Sequence, residues 1–140
     1  MKNLFYVSIF VGYFFGCSSD PTSSLPESPV TIGNLTGQWN WVQSVDGTNH
    51  VVEKPTSSNT RAITIALDST IKEYRNDTLI FIDKFRLIKA MTNFSSDSLS
   101  VIDFATSKRF NYLIFSLTSE TLIIGYGLQD SFKDQYSKIN

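Results

Sequence analysis

The chain has 140 residues, 41% of them hydrophobic and 18% charged, and carries a formal net charge of −1. That length bounds it at one domain plus extensions, and the charge supplies no basic field for nucleic acid. A single cysteine and a single histidine exclude an intramolecular disulfide framework, a multi-cysteine zinc site and a His–His metal motif, so no cofactor or metal is expected.

Residues 1–16 read as a leader. Lys2 is their only charge, and residues 4–15 form an uncharged run. About twelve residues is too short to cross a bilayer, which takes roughly twenty, but suits the apolar core of a signal peptide. Gly16 then supplies a small residue directly before Cys17. This arrangement resembles the lipobox of bacterial lipoproteins, with Phe14 and Phe15 where that family usually has leucine and a small residue. The resemblance implies cleavage before Cys17, acylation of its thiol and of the new amino terminus, and a lipid-anchored place in the bacterial cell envelope, at the outer membrane.

Residues 17–33 are rich in Ser and Pro and poor in large apolar groups. Such a stretch buries too little surface to offset its ordering entropy and reads as an extended tether. Cleavage before Cys17 removes Lys2 and no acid. The mature side chains then carry 11 basic and 13 acidic groups, a formal charge of −2.

From residue 34 to 140 the sequence predicts strand after strand. Alternation over 38–45 puts Trp39 and Trp41 on one face, with Asn40 and Ser44 on the other. Residues 61–67 align Ile63, Ile65 and Leu67, and a turn at Asp68–Ser69 leads into 70–75. A second turn at 76–78 precedes 79–90, which reads as one long strand or two with a bend near Asp83–Lys84. Runs at 98–105, 109–117, 121–127 and 134–139 complete the series. β-Branched and aromatic residues dominate, and turn residues recur about every ten positions, as in an antiparallel barrel or sandwich. The one helix candidate is a short piece near 127–134. The weakly patterned stretch 46–60 reads as a long loop, and Pro55 argues against a central strand there.

"LTGQWNWV" (35–42) at the head of this all-β region resembles the Gly-x-Trp opening of lipocalins and of short bacterial lipocalin-like lipoproteins. The resemblance implies an antiparallel up-and-down barrel of about eight strands. Trp39 would plug its closed end, Gly37 would allow close backbone approach, and Lys138 from the last strand would cover the indole. A β-sandwich is the alternative.

No chemistry stands out. His50 reads as an exposed loop histidine. Asp68, Asp77, Asp83, Asp97 and Asp103 read as turn or strand-end residues. "GYG" at 125–127 lacks the lysine and helix start of a phosphate loop and reads as a bulge or tight bend. The triplets "DST" (68–70), "DTL" (77–79) and "DSL" (97–99) resemble a short bacterial O-glycosylation motif, with chance as the simpler account. The expectation is a monomeric, non-enzymatic module that binds an apolar or amphipathic small ligand. Phe81, Phe85, Phe104, Phe110 and Phe115 would either line its cavity or fill it. The alternative is an envelope scaffold or inhibitor that contacts a protein through its loops.

Overall fold

The structure is a computed structural model, and it describes residues 28–47, 51–92, 95–126 and 132–139. The elements, in chain order, are a one-turn helix α1 (Ile32–Leu35) and nine strands: β1 (Gly37–Val45), β2 (Val52–Glu53), β3 (Arg61–Ile65), β4 (Thr70–Arg75), β5 (Thr78–Thr92), β6 (Ser95–Phe104), β7 (Tyr112–Leu117), β8 (Thr121–Tyr126) and β9 (Lys133–Ile139). All pairings are antiparallel. The order runs β1-β3-β4-β5-β6-β7-β8-β9 and closes through β1–β9, with β2 added beside the far end of β1. This is the expected closed, lipocalin-like up-and-down barrel of eight strands plus one short strand. Closure removes the edges that an open sheet of this composition would present.

The turns follow from their residues. Asn76 and Asp77 both adopt positive φ, at 49° and 60°, as a two-residue hairpin of the primed type requires. Thr118 Oγ1 accepts from the backbone N–H groups of Glu120 and Thr121 and fixes the β7–β8 hairpin.

Four details differ from the sequence reading. A bulge between Trp41 and Gln43 shifts the phase of β1 by one residue, so Ser44 points inward and is buried with the tryptophans. Strand β3 stops at Ile65, because the Ala66–Thr70 turn takes over the backbone bonds, and Leu67 is left 73% exposed. Strand β5 is a single strand that changes partners. It pairs with β4 through Lys84 and with β6 from Phe85 onward, so the expected bend marks a switch of neighbour. Gly125 lies in regular pairing with Leu113 and Lys133. The irregularity falls across the pair at Phe115, whose ring edge lies 2.8 Å from where a Cβ on Gly125 would sit.

The chain packs on the barrel earlier than residue 34. Ser28 N–H donates to the Leu117 carbonyl, and Val30 and Ile32 pack against the core. Thr31 caps α1 by accepting from Asn34 N–H. The helix expected near 127–134 falls largely on residues 127–131, which lie outside the described residues. Its last two positions, Lys133 and Asp134, belong to β9 instead, where pairing with β1 and β8 holds them extended.

The core fills the barrel from one end. That end holds α1, the start of β1 and the β7–β8 hairpin, and Leu35, Trp39, Ile65, Ile71, Leu117 and Leu122 are buried there. Trp41, Ile63, Phe85, Ile102, Phe104, Tyr112, Ile114, Ile124 and Tyr136 complete the buried cluster toward the middle and the mouth. Residues 46–47 and 51–60, the loop 105–111 and the 76–77 turn stand at the other end, the mouth.

Candidate functional site

The floor brings together Gly37 and Trp39 of the opening motif and Lys138 of the last strand. Trp39 is fully buried and donates its indole N–H to the Leu35 carbonyl at 2.8 Å. Lys138 is its cross-strand partner, and the ammonium lies 5.0 Å from the indole centroid. Gly37 has φ 141°, and a Cβ there would meet the Lys138 side chain at 2.6 Å. A residue other than glycine would be strained by conformation and crowded as well. The floor is thus a structural plug. Cys17 and His50 lie outside the described residues.

The mouth holds what the floor lacks. A cleft of about 390 Å³ is lined by Glu73, Arg75, Ile80, Lys108, Arg109, Phe110, Tyr112 and Tyr126. Its wall is built by strands β4, β5, β7 and β8 and one loop. Strand β4 ends with Glu73 and Arg75 facing in. Strands β7 and β8 set Tyr112 opposite Tyr126, their rings edge to face with centroids 5.3 Å apart. The 105–111 loop brings Lys108, Arg109 and Phe110. That loop is pinned by Asp83, which accepts from Thr106 Oγ1 at 2.6 Å and from the backbone N–H groups of Thr106 and Ser107.

Glu73 organises the rim. Arg109 Nη1 donates to one of its oxygens at 2.8 Å, and the Tyr112 hydroxyl donates to the other. Arg109 also lies 4.1 Å over the Phe81 ring, and Phe81 meets Phe104 edge-on. Burial pushes the Tyr112 phenol far above its ordinary value, and the Glu73 charge adds to the shift. Tyr112 is therefore a neutral hydrogen-bond donor at any working pH.

Beneath the cleft lies a smaller cavity of about 70 Å³, which shares Glu73, Arg75, Ile80, Tyr112 and Tyr126 with it and adds Arg61, Asp134 and Tyr136. Arg61 spans this throat. It lies 4.1 Å over Trp41, donates to Glu53 at 2.8 Å, and stands 3.7 Å from the Asp134 carboxylate. Ser44 links the set, accepting from Trp41 Nε1 at 3.0 Å and donating to Asp134. Burial raises the Asp134 carboxyl, while Ser44 and Arg61 pull it back down. Among the described residues, Arg61 Nε is the buried side-chain nitrogen or oxygen with no partner.

The phenylalanines divide. Phe85 and Phe104 fill the core, and Phe81 packs partly against it. Phe110 is 66% exposed at the mouth. Phe115 lies outside the core cluster, 4.4 Å beneath Lys133. Asp83 also differs from the turn or strand-end reading, whereas Asp103 keeps it, one residue before the end of β6. Asp83 is buried within β5, and Asp103 is paired with Arg86 across the β5–β6 ladder.

Sequence reasoning missed the mouth cluster. Its signal was present: Arg61, Glu73, Tyr112 and Asp134 occupy the inward phase of their strands, a place otherwise held by isoleucine and leucine. Charge at an inward strand position next to a loop marks the polar end of a barrel.

Among the described residues no group of three or more His, Cys, Asp and Glu side chains is placed to hold a metal ion. A scan against protein-family models matches none, and searches of curated proteins and of solved structures give no significant match.

Proposed function

We propose that the protein is a lipid-anchored binding module of the bacterial envelope that holds a small amphipathic ligand at the mouth of its barrel. One observation carries the reading: the mouth cleft is open and mixed in character while the floor end is filled by the core. Ligand pockets run from about 300 to 1,000 Å³ and combine apolar walls with a few polar groups. The mouth cleft, about 390 Å³, falls in that range. The inner cavity, about 70 Å³, has room for only a few waters. An apolar ligand buried deep in the barrel therefore has no space, and the expectation narrows to a ligand at the rim. The anchoring half of the proposal rests on the leader and Cys17, and the lipocalin-like kinship on Gly37, Trp39 and Lys138.

Native mass spectrometry of the protein purified gently from its own host tests this. The expected result is a reproducible added mass that disappears on denaturation and is depleted in Phe110→Ala. A second reading, contact with an envelope protein, is favoured by the exposure of Phe110 and Ile80 on the same rim. A bare mass for the folded barrel, with crosslinks from the 105–111 loop to one neighbouring protein, would establish that reading instead.

A further inference from the structure

The lining of the mouth cleft carries more positive charge than its own acid neutralises. Of its lining residues, three are cationic and one is anionic, on a chain whose formal net charge is −1. Glu73 is already used, with one oxygen engaged by Arg109 and the other by Tyr112. Among the described residues, the side chains of Arg75 and Lys108 have neither a carboxylate nor another hydrogen-bond partner. On the barrel wall Lys84 pairs with Asp68 at 2.6 Å and Arg86 with Asp103 at 2.6 Å, while Lys72 stands alone rather than beside a second unmatched cation in a cleft. The two unmatched cations flank one cleft, and that cleft has an apolar wall of Ile80 and Phe110 with the Tyr112 and Tyr126 rings.

We infer that the mouth selects a small organic anion: an oxyanion head group, carboxylate or phosphate ester, on an aromatic or short apolar body. This rests on the reading of the mouth as a ligand site and adds the ligand's charge and size. A guanidinium presents a planar fork matched to carboxylate and phosphate oxygens, and an ammonium adds a point charge. Arg75 and Lys108 receive the head, and the exposed face of Phe110 with Ile80 receives the body. The unpartnered Arg61 Nε below supplies a further donor for a ligand oxygen or a bridging water. Size is limited from beneath. Trp41, Ile63 and Tyr136 close the barrel under the throat, so a long acyl chain cannot thread inward.

The test uses two fluorescent probes that share an anilinonaphthalene body, one bearing a sulfonate and one neutral. The full chain carrying Cys17→Ala is purified without detergent and titrated with each at low ionic strength. The sulfonate probe is expected to bind more tightly than the neutral one. Arg75→Gln with Lys108→Gln is expected to weaken the sulfonate probe by about three- to tenfold, the range of two partly exposed charge contacts. The neutral probe and the melting temperature should stay unchanged. Equal affinities, or an unaffected sulfonate probe in the double variant, would overturn the anion assignment while leaving the mouth as a ligand site. Failure of both probes to bind would overturn the ligand site itself. Displacement by benzoate, hexanoate and tetradecanoate then reads size. A plateau beyond hexanoate is expected, and a continuing gain of about fourfold per added methylene, the value of full burial, would overturn the size limit.

Discussion

Asp83 shows how one side chain decides what a loop can do. It is buried in the middle of β5, where a carboxylate without partners would be costly. Its oxygens instead accept from the Thr106 hydroxyl, from the N–H groups of Thr106 and Ser107, and from its own neighbour's N–H at Lys84. The Thr106 hydrogen bond leads in holding this carboxyl below its ordinary value. The folded protein therefore binds the Asp83 proton more weakly than the unfolded chain does. Its stabilising effect is present above the ordinary carboxylate value and is lost as the pH falls through and below it. Asp134 has the opposite sign, since burial raises it, and its ionisation weakens folding as the pH rises. Asp83→Asn is expected to lower the melting temperature at neutral pH, with the gap from wild type closing below about pH 4. Thermal melts of both proteins across that range check it. A gap that stays constant into acid would show that shape, not charge, fixes the 105–111 loop.

At the scale of elements, α1 is the clearest departure from the sequence pattern. Residues 28–33 look like tether, because a four-residue helix has no period to detect and Pro and Ser dominate its approach. The structure nevertheless seats Val30 and Ile32 against the core and joins Ser28 to Leu117. Val30→Ser with Ile32→Ser is expected to cost about 1–3 kcal/mol, the burial of two partly covered side chains. Urea denaturation measures it, and no change would return these residues to the tether. Apart from the two-residue β2, which lies in the stretch read as a loop, the strands were legible, because β-branched and aromatic residues dominate them and most have one buried face. Their irregularities were not. The bulge after Trp41, which turns Ser44 inward, depends on how β1 meets β9 some ninety residues later. The rim was hidden for the same reason, since Glu73 meets Arg109 and Tyr112 only once the barrel closes.

The whole molecule has two unlike ends, and the chain leaves from the closed one. Ser28 bonds to Leu117 beside the β7–β8 hairpin at the floor, whereas Arg75, Lys108 and Phe110 stand at the mouth. Ten residues, 18–27, separate Ser28 from Cys17. The eleven steps from Cys17 to Ser28 span at most roughly 40 Å even when fully extended. An acylated Cys17 would therefore keep the barrel within a tether's length of the membrane surface, attached at the floor end and not at the mouth. Anchor and site are then separable. Cys17→Ala is expected to move the protein from the membrane fraction to the soluble fraction while its affinity for the sulfonate probe stays unchanged. The check is fractionation followed by titration of the released protein against the wild type stripped from membranes and freed of detergent. A variant that still sediments with membranes would mean that something other than Cys17 holds it there. A released variant with altered probe affinity would mean that the anchored end and the mouth communicate, which the filled core between them gives no route to expect.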